Sequence, residues 1–302
     1  VYLVWLEGRY PPEIYTTCSR SAPLDSRGKR MKSYITIAQL KARLQPLTQT
    51  IYDADFLGLI QHTSDEIDHE CHRYFECREG IKYAEGSGTT VVSPEDFLSL
   101  TAVDLDMDGD GTYETNLTPA TDLIFYPLNE YPKTYMKTAQ NCGYSFPSTR
   151  AGIRLTGVFG FGDLYTAAPY SLIGDTITDA TGIIASATSF TPTTPALFSP
   201  GQTLRIESEQ CFVTAVTTTV TITRGENGTT AASHAHSTPI YLYRYYGAVV
   251  EATMIQCIRW WKRRESAYQT KSGSAELGTL VVYHGLDDDV KRIVEHVKRH
   301  PI

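Results

Sequence analysis

Gln202-Thr-Leu-Arg-Ile-Glu207, Cys211-Phe-Val-Thr-Ala-Val216 and Thr219-Val-Thr-Ile-Thr223 follow one another closely, and each alternates β-branched or apolar residues with polar ones. That period of two, with Pro200-Gly201 before the run and Asn227-Gly228 after it, spells strands joined by tight turns. The surrounding composition agrees. From Thr176 to Thr238 there are seventeen Thr and only six charged residues, with no Lys. Residues 169–242 are therefore expected to form an all-β, sandwich-like, Thr-rich domain inserted into a different body.

On both sides of this region the period changes to that of a helix. Thr36 with Gln39 makes a reciprocal capping box ahead of Leu40 and Leu44, and Pro46 stops that helix. After Asp53, the residues Phe56, Ile60, Ser64, Ile67, Cys71 and Tyr74 draw one stripe on a helix expected to reach Phe75, while Asp65, Glu66, Asp68, Glu70 and Arg73 mark its solvated or partner-facing side. Beyond the insert, Val250, Met254, Cys257 and Trp261 keep the same step. A last helix is expected from about Asp287 to Arg299, with Asp287, Asp288 and Asp289 opening it and Lys298, Arg299 and His300 closing it. Between them, Val91 to Val103, Tyr113, Leu123 to Tyr126 and Ile153 to Phe159 read as a few short strands.

The fold class expected is α+β: a mainly helical core over 31–168 and 243–302, its helices flanking a few short strands and a β hairpin, with the β domain inserted. Residues 1–30, with Pro11, Pro12 and Pro23 and no periodicity, are expected to be an extended or disordered tail; Met31 stands where translation is expected to begin.

The chain has 302 residues, 41% hydrophobic and 20% charged, with a net charge of −7. That composition belongs to a folded globular chain and opposes a grip on nucleic acid built from clustered cations. No apolar run approaches a membrane span, and no signal peptide is expected. Six scattered cysteines are too sparse for a disulfide scaffold and are expected to be reduced.

Asp106-x-Asp108-x-Asp110-Gly111 with Glu114 places oxygens at alternate turn positions, as a Ca²⁺ loop does. Position twelve is Leu117 and not a bidentate Glu, so a polar hairpin turn is the competing reading. His69, Cys71, His72 and Cys77 crowd one helix end but contain no C-x-x-C pair for zinc. His234 and His236 lack a nucleophile, and Gly157 to Gly162 lacks the lysine of a phosphate loop. No catalytic centre, metal or cofactor is expected. Trp261 lies on the core stripe, leaving its neighbour Trp260 free to meet another molecule.

Tyr34-Ile-Thr-Ile-Ala-Gln-Leu-Lys-Ala-Arg-Leu44, Asp53 to Phe75, Asp106 to Glu114, Gly152 to Gly160, Ala248 to Arg264 and Leu286-Asp-Asp-Asp-Val290, in that order, resemble the head–tail connector (adaptor, head-completion) proteins of tailed bacteriophages. The resemblance covers residues 31–165 and 240–302. It implies a virion protein at the head–tail junction, assembled in the host cytoplasm into a homo-oligomeric ring, expected to be twelvefold. Such a ring docks beneath the portal protein, carries the stopper or tail-completion protein, and lets genomic DNA pass without binding it.

Portal attachment is expected through 285–302. Val290, Ile293 and Val297 would be its apolar contacts, Lys291, Arg292, Lys298 and Arg299 its polar rim, and Trp260 a further interface residue. The alternative from another class is a host-surface or glycan-binding module carried by the Thr-rich domain.

Overall fold

The computed structural model describes residues 31–44, 50–162, 168–265, 271–272, 280–281 and 285–299. The expected tail at 1–30 lies outside them, as do residues 300–302. Helix α1 (Ile37–Leu44) starts on the capping box read from the sequence: Thr36 N–H donates to Gln39 Oε1 at 2.8 Å and Gln39 N–H to Thr36 Oγ1 at 3.1 Å. Helix α2 (Asp53–Cys71) ends four residues before Phe75, because His72 turns into the left-handed region at φ 52°. That turn sends the chain into β1.

Residues 78–159 hold seven strands and one short helix: β1 (Arg78–Ala84), β2 (Val91–Val92), β3 (Phe97–Leu105), β4 (Thr115–Leu117), α3 (Pro119–Asp122), β5 (Leu123–Tyr126), β6 (Tyr135–Thr138) and β7 (Ile153–Phe159). They build two antiparallel sheets, ordered β1-β7-β3-β4 and β2-β6-β5. Buried Phe97, Val103, Leu123, Met136, Phe146 and Leu155 fill the space between them. The described residues are 27% helical and 30% strand, which overturns the expectation of a mainly helical core.

The reason is that pairing here is remote. β1 lies against β7, Arg78 opposite Phe159, and as an edge strand it leaves Ile81 and Tyr83 more than half exposed, so it shows no inward alternation. β2 has only two residues, too few to carry a period. Gly160, just past β7, has φ +114°, and a Cβ there would meet Glu76 O at 2.0 Å; only glycine lets the two chain segments touch.

The inserted region is a single six-stranded antiparallel sheet, β8-β13-β10-β11-β12-β9, and not a two-sheet sandwich. Its strands are β8 (Tyr170–Thr176), β9 (Ser189–Phe190), β10 (Thr203–Ile206), β11 (Glu209–Val216), β12 (Val220–Thr223) and β13 (Pro239–Tyr243). Ile177, Ile183 and Phe198, outside the strands, close its core over Leu204, Cys211 and Ile222. The first and last strands pair with each other, Tyr170 opposite Tyr243, so the chain leaves and returns at one place.

Helices α4 (Gly247–Glu265) and α5 (Asp288–Val294) complete the fold, with a two-stranded ribbon, β14 (Lys271–Ser272) and β15 (Leu280–Val281), between them. Two clusters unite the helices across the insert. Ile35, Leu40, Phe56 and Ile60 pack with Met254, Cys257 and Trp261, while Ile67, Cys71 and Phe75 pack with Val249, Ala252, Val290, Val294 and Val297. Gln256, fully buried in α4, accepts the Asp287 N–H at 3.0 Å and fixes the start of α5.

The inserted sheet is also fastened to the rest. Gln210 Nε2 donates to Cys77 O at 3.0 Å, and Tyr243 hydroxyl donates to Phe75 O at 3.1 Å. Gly228, at φ +87°, lies so close to β1 that a Cβ would sit 1.9 Å from Glu79 O. Gly228→Ala is expected to push the turn off β1 and, with about 1–2 kcal/mol of left-handed strain added, to lower the thermal midpoint by several degrees. An unchanged midpoint would show that this contact carries no weight.

Candidate functional site: a charged cleft between helices and sheet

The acidic turn between β3 and β4 does bring Asp106, Asp108, Asp110 and Glu114 together, with one oxygen of each within 4.8 Å of the others. Its own amides already occupy much of that set. Buried Asp106 accepts Gly109 N–H at 2.7 Å and Gly111 N–H at 2.9 Å, Asp108 accepts Asp110 N–H at 3.2 Å, and Asp110 accepts Thr112 N–H at 2.7 Å. Leu117, at the twelfth position, is buried in the sheet core. The turn is thus a self-satisfied hairpin whose residues have the donor type for a hard cation.

The His and Cys residues at the end of α2 do not converge. His69 and His72 are exposed with ring centroids 6.4 Å apart, whereas Cys71 and Cys77 are buried and burial pushes each thiol up to about 12. To ligate zinc these two cysteines would have to be thiolates, which this environment opposes. His236 is exposed. His234 is buried, with Nδ1 2.7 Å from Glu207 Oε2 and Nε2 2.9 Å from Glu209 Oε2, so it locks two carboxylates and has no nucleophile to activate.

The richest concentration of charge lies elsewhere, in a cleft of about 560 Å³ where α2, the start of β3 and the C-terminal segment meet. Lys32, Asp65, Asp68, Arg73, Asp96 and Arg299 line it, with His69 and His72 at the same cavity. Asp96 is 2% exposed, with Arg73 Nε at 3.2 Å and Arg299 Nε at 3.6 Å. Burial raises the Asp96 carboxyl against the pull of those two guanidiniums, and burial lowers Arg73. Behind them, Tyr34 hydroxyl bonds to Asp68 and stands 3.1 Å from Glu76 Oε2, while Arg78 Nε donates to the other oxygen, Glu76 Oε1, at 3.1 Å.

The two carboxyls flanking Tyr34 are driven apart. Burial, then the nearby Glu76, lifts Asp68 to about 7 despite Lys32. Burial also pushes Glu76 upward, but Arg78 and Lys32 outweigh it and hold Glu76 at about 2. The two carboxyls sharing one phenol are thereby pushed in opposite directions. The cleft's opposite charges largely neutralise one another. Its chemistry is that of an electrostatic clasp between chain segments.

The residues expected to meet the portal are placed as follows. Val290 and Val297 are buried within the chain's own helical cluster, and Ile293 is half-buried against it. Lys298 Nζ donates to Glu70 Oε1 at 2.8 Å, and Arg299 turns into the cleft while its N–H donates to Cys71 O at 2.8 Å. Lys291 and Arg292 face outward. Trp260 is half-buried and stacked on His62, ring centroids 5.2 Å apart. The apolar side chains are therefore spent inside the molecule, and the exposed residues of α5 are Asp288, Asp289, Lys291 and Arg292.

Sequence reasoning passed over Lys32, Tyr34, Glu76 and Asp96, and assigned Asp68 to the solvated side of α2, although it is 7% exposed. A signal was present: Asp68 lies four residues after Ser64 and three before Cys71, both on the buried stripe. No known protein family, curated protein or solved structure matches this chain.

Proposed function

We propose that the chain is a structural subunit of the head–tail connector ring of a tailed bacteriophage virion, joining portal to stopper or tail and lining the DNA exit path without catalysis. The observation that carries this reading is the union of α1 and α2 with α4 and α5 into one layer, in the element order of the adaptor resemblance, although the inserted sheet separates them in sequence. A ring needs a rigid wedge whose two sides differ. The packed helical layer with two sheets behind it supplies such a body, and the negative net charge suits a wall along which phosphates slide.

Because Val290 and Val297 are occupied internally, portal contact falls to the outward residues of α5. Purified protein mixed with the portal protein of the same phage is expected to co-sediment and to give annular particles in negative stain. Lys291→Glu with Arg292→Glu is expected to weaken that binding about tenfold or more while leaving the thermal midpoint unchanged, since both side chains are exposed. Absence of co-sedimentation and of rings with the unaltered protein would reject the connector reading.

A further inference from the structure

Another cavity, of about 540 Å³, lies on the seam between the inserted sheet and the helical layer. Residues 33–39, which lead into α1, form one wall and the 196–203 turn of the insert forms another; the chain from Leu242 to Tyr245 closes the space on its way to α4. Ile37 N–H donates to Pro200 O at 3.3 Å and so holds the first two walls together. Ile35 and Phe198 are 1% and 5% exposed, and with half-buried Leu242 and Val250 they give the cavity an apolar side. Seams between packed units are where small-molecule sites concentrate, and this volume lies in their usual range.

The polar part of the lining holds donors that lack acceptors. Ser33 is 1% exposed, yet its hydroxyl has no hydrogen-bond partner among the described residues. Thr203 Oγ1 and the Tyr245 hydroxyl lie 3.0 Å apart, and their mutual bond uses one hydrogen of the pair and leaves the other to donate. Of the amides in the first turn of α1, Ile37 serves Pro200 O and Gln39 serves Thr36 Oγ1 at 3.1 Å, so the Ala38 N–H at this positive helix end is left over. Arg244 is exposed and has no ion pair among the described residues. It is also the one charged side chain among the described residues lining the cavity, in a chain whose net charge is −7.

We propose that this seam cavity is a binding site for a small amphipathic monoanion, a carboxylate carried on a hydrocarbon chain. An ionised carboxylate only accepts hydrogen bonds, which matches a set of free groups made of hydroxyl hydrogens, a helix-end amide and a guanidinium. One guanidinium balances one negative charge; a phosphate dianion would bring a second charge beside apolar walls with no further cation to meet it. The hydrocarbon chain displaces water from Ile35, Phe198, Leu242 and Val250. Because the lining comes from the segment before α1, from the insert and from α4, the bound anion fastens the inserted sheet to the helical layer. The site stands whether or not the chain builds a ring.

Amide magnetic-resonance spectra of the full chain, titrated with decanoate below its micelle concentration, test this. The Ala38, Gly201 and Leu242 amides are expected to shift saturably at sub-millimolar decanoate, and the thermal midpoint to rise with ligand concentration. Decanol, the uncharged analogue, is expected to bind at least about tenfold more weakly. Arg244→Gln, at an exposed side chain, is expected to weaken decanoate about tenfold or more while leaving decanol binding and the midpoint of the free protein unchanged. Absence of saturable shifts at those amides, equal affinity for decanol and decanoate, or undiminished decanoate binding in Arg244→Gln would each overturn the proposal. Binding of an acetylated Asp-Leu-Phe peptide amide at these positions without binding of decanoate would overturn it too, by assigning the cavity to a partner chain.

Discussion

Arg224→Leu is expected to cost the Thr-rich sheet about 3–5 kcal/mol, the usual loss when one partner of a buried ion pair is removed and the other is left charged. The abandoned partner would be Glu209, which is 0% exposed. Arg224 Nε and Nη2 each donate to it at 2.7 Å, and Gly225 N–H at 2.9 Å and Ala232 N–H at 3.0 Å complete the set with His234. Arg224 also donates to Ile184 O at 3.0 Å and Ala187 O at 3.1 Å, so one guanidinium ties together the loops that close the core.

Burial pushes the Glu209 carboxyl upward, but the Arg224 fork, the Ala232 amide, His234 and the Gly225 amide outweigh it and hold it at about 2. Being depressed from 4.5, it contributes stability that is present above the unfolded value and lost as pH falls through about 2. The module is accordingly expected to resist acid until well below pH 4.5 in the unaltered protein and to lose that resistance in Arg224→Leu. A double variant with Glu209→Leu is expected to recover only part of the loss, because two backbone amides and His234 would then lack an acceptor. Denaturant unfolding followed by far-ultraviolet circular dichroism measures it; a loss under about 1 kcal/mol for the single variant would show that the pair is not the keystone.

Glu209 and Arg224 also illustrate what was legible. The strands next to them follow from alternation: β11, which Glu209 opens, and β12, which ends just before Arg224, fall within a residue or two of where the Thr and Val pattern puts them. Their partnership does not, since fifteen residues separate them and nothing local says that a Glu in a polar-looking hairpin points inward. The same division runs through the molecule. Thr36 and Gln39 announce α1 because a capping box is a contact over three residues, and Ile153 to Phe159 announces β7 because its alternation is strict.

The 4-stranded sheet is different. Its outer pairing joins β1 to a strand some seventy residues later, and the edge position of β1 erases the inward face that would have marked it. That loss turned a mostly β body into an expected helical one. The cleft was hidden for a related reason: Lys32, Asp68, Glu76, Asp96 and Arg299 come from four remote parts of the chain, and each alone looks like ordinary surface charge. Charge becomes informative only when topology has buried it.

Trp261→Ala is expected to destabilise the helical layer by about 3–5 kcal/mol, while Trp260→Ala costs about 1 kcal/mol or less. The pair differs by one position and so by 100° around α4, and the packing follows. Trp261 is 8% exposed, with its ring centroid 4.3 Å from Phe56 and 5.4 Å from Tyr52, and the Arg264 guanidinium lies 3.7 Å from its ring centroid. Removing it opens a cavity at the seam where the chain before the insert meets the chain after it, next to Leu40, Ile60 and Met254. Trp260 stacks only its half-exposed face on His62.

Equal losses for the two variants, read from the shift in the urea midpoint, would mean that α4 is not held against α2 through this seam. Such a result would remove the physical basis for treating the two helical stretches as one wedge, and with it the main support for the connector reading. If Trp261→Ala instead abolishes ring formation while Trp260→Ala preserves it, ring assembly depends on the integrity of the helical layer and not on the more exposed indole.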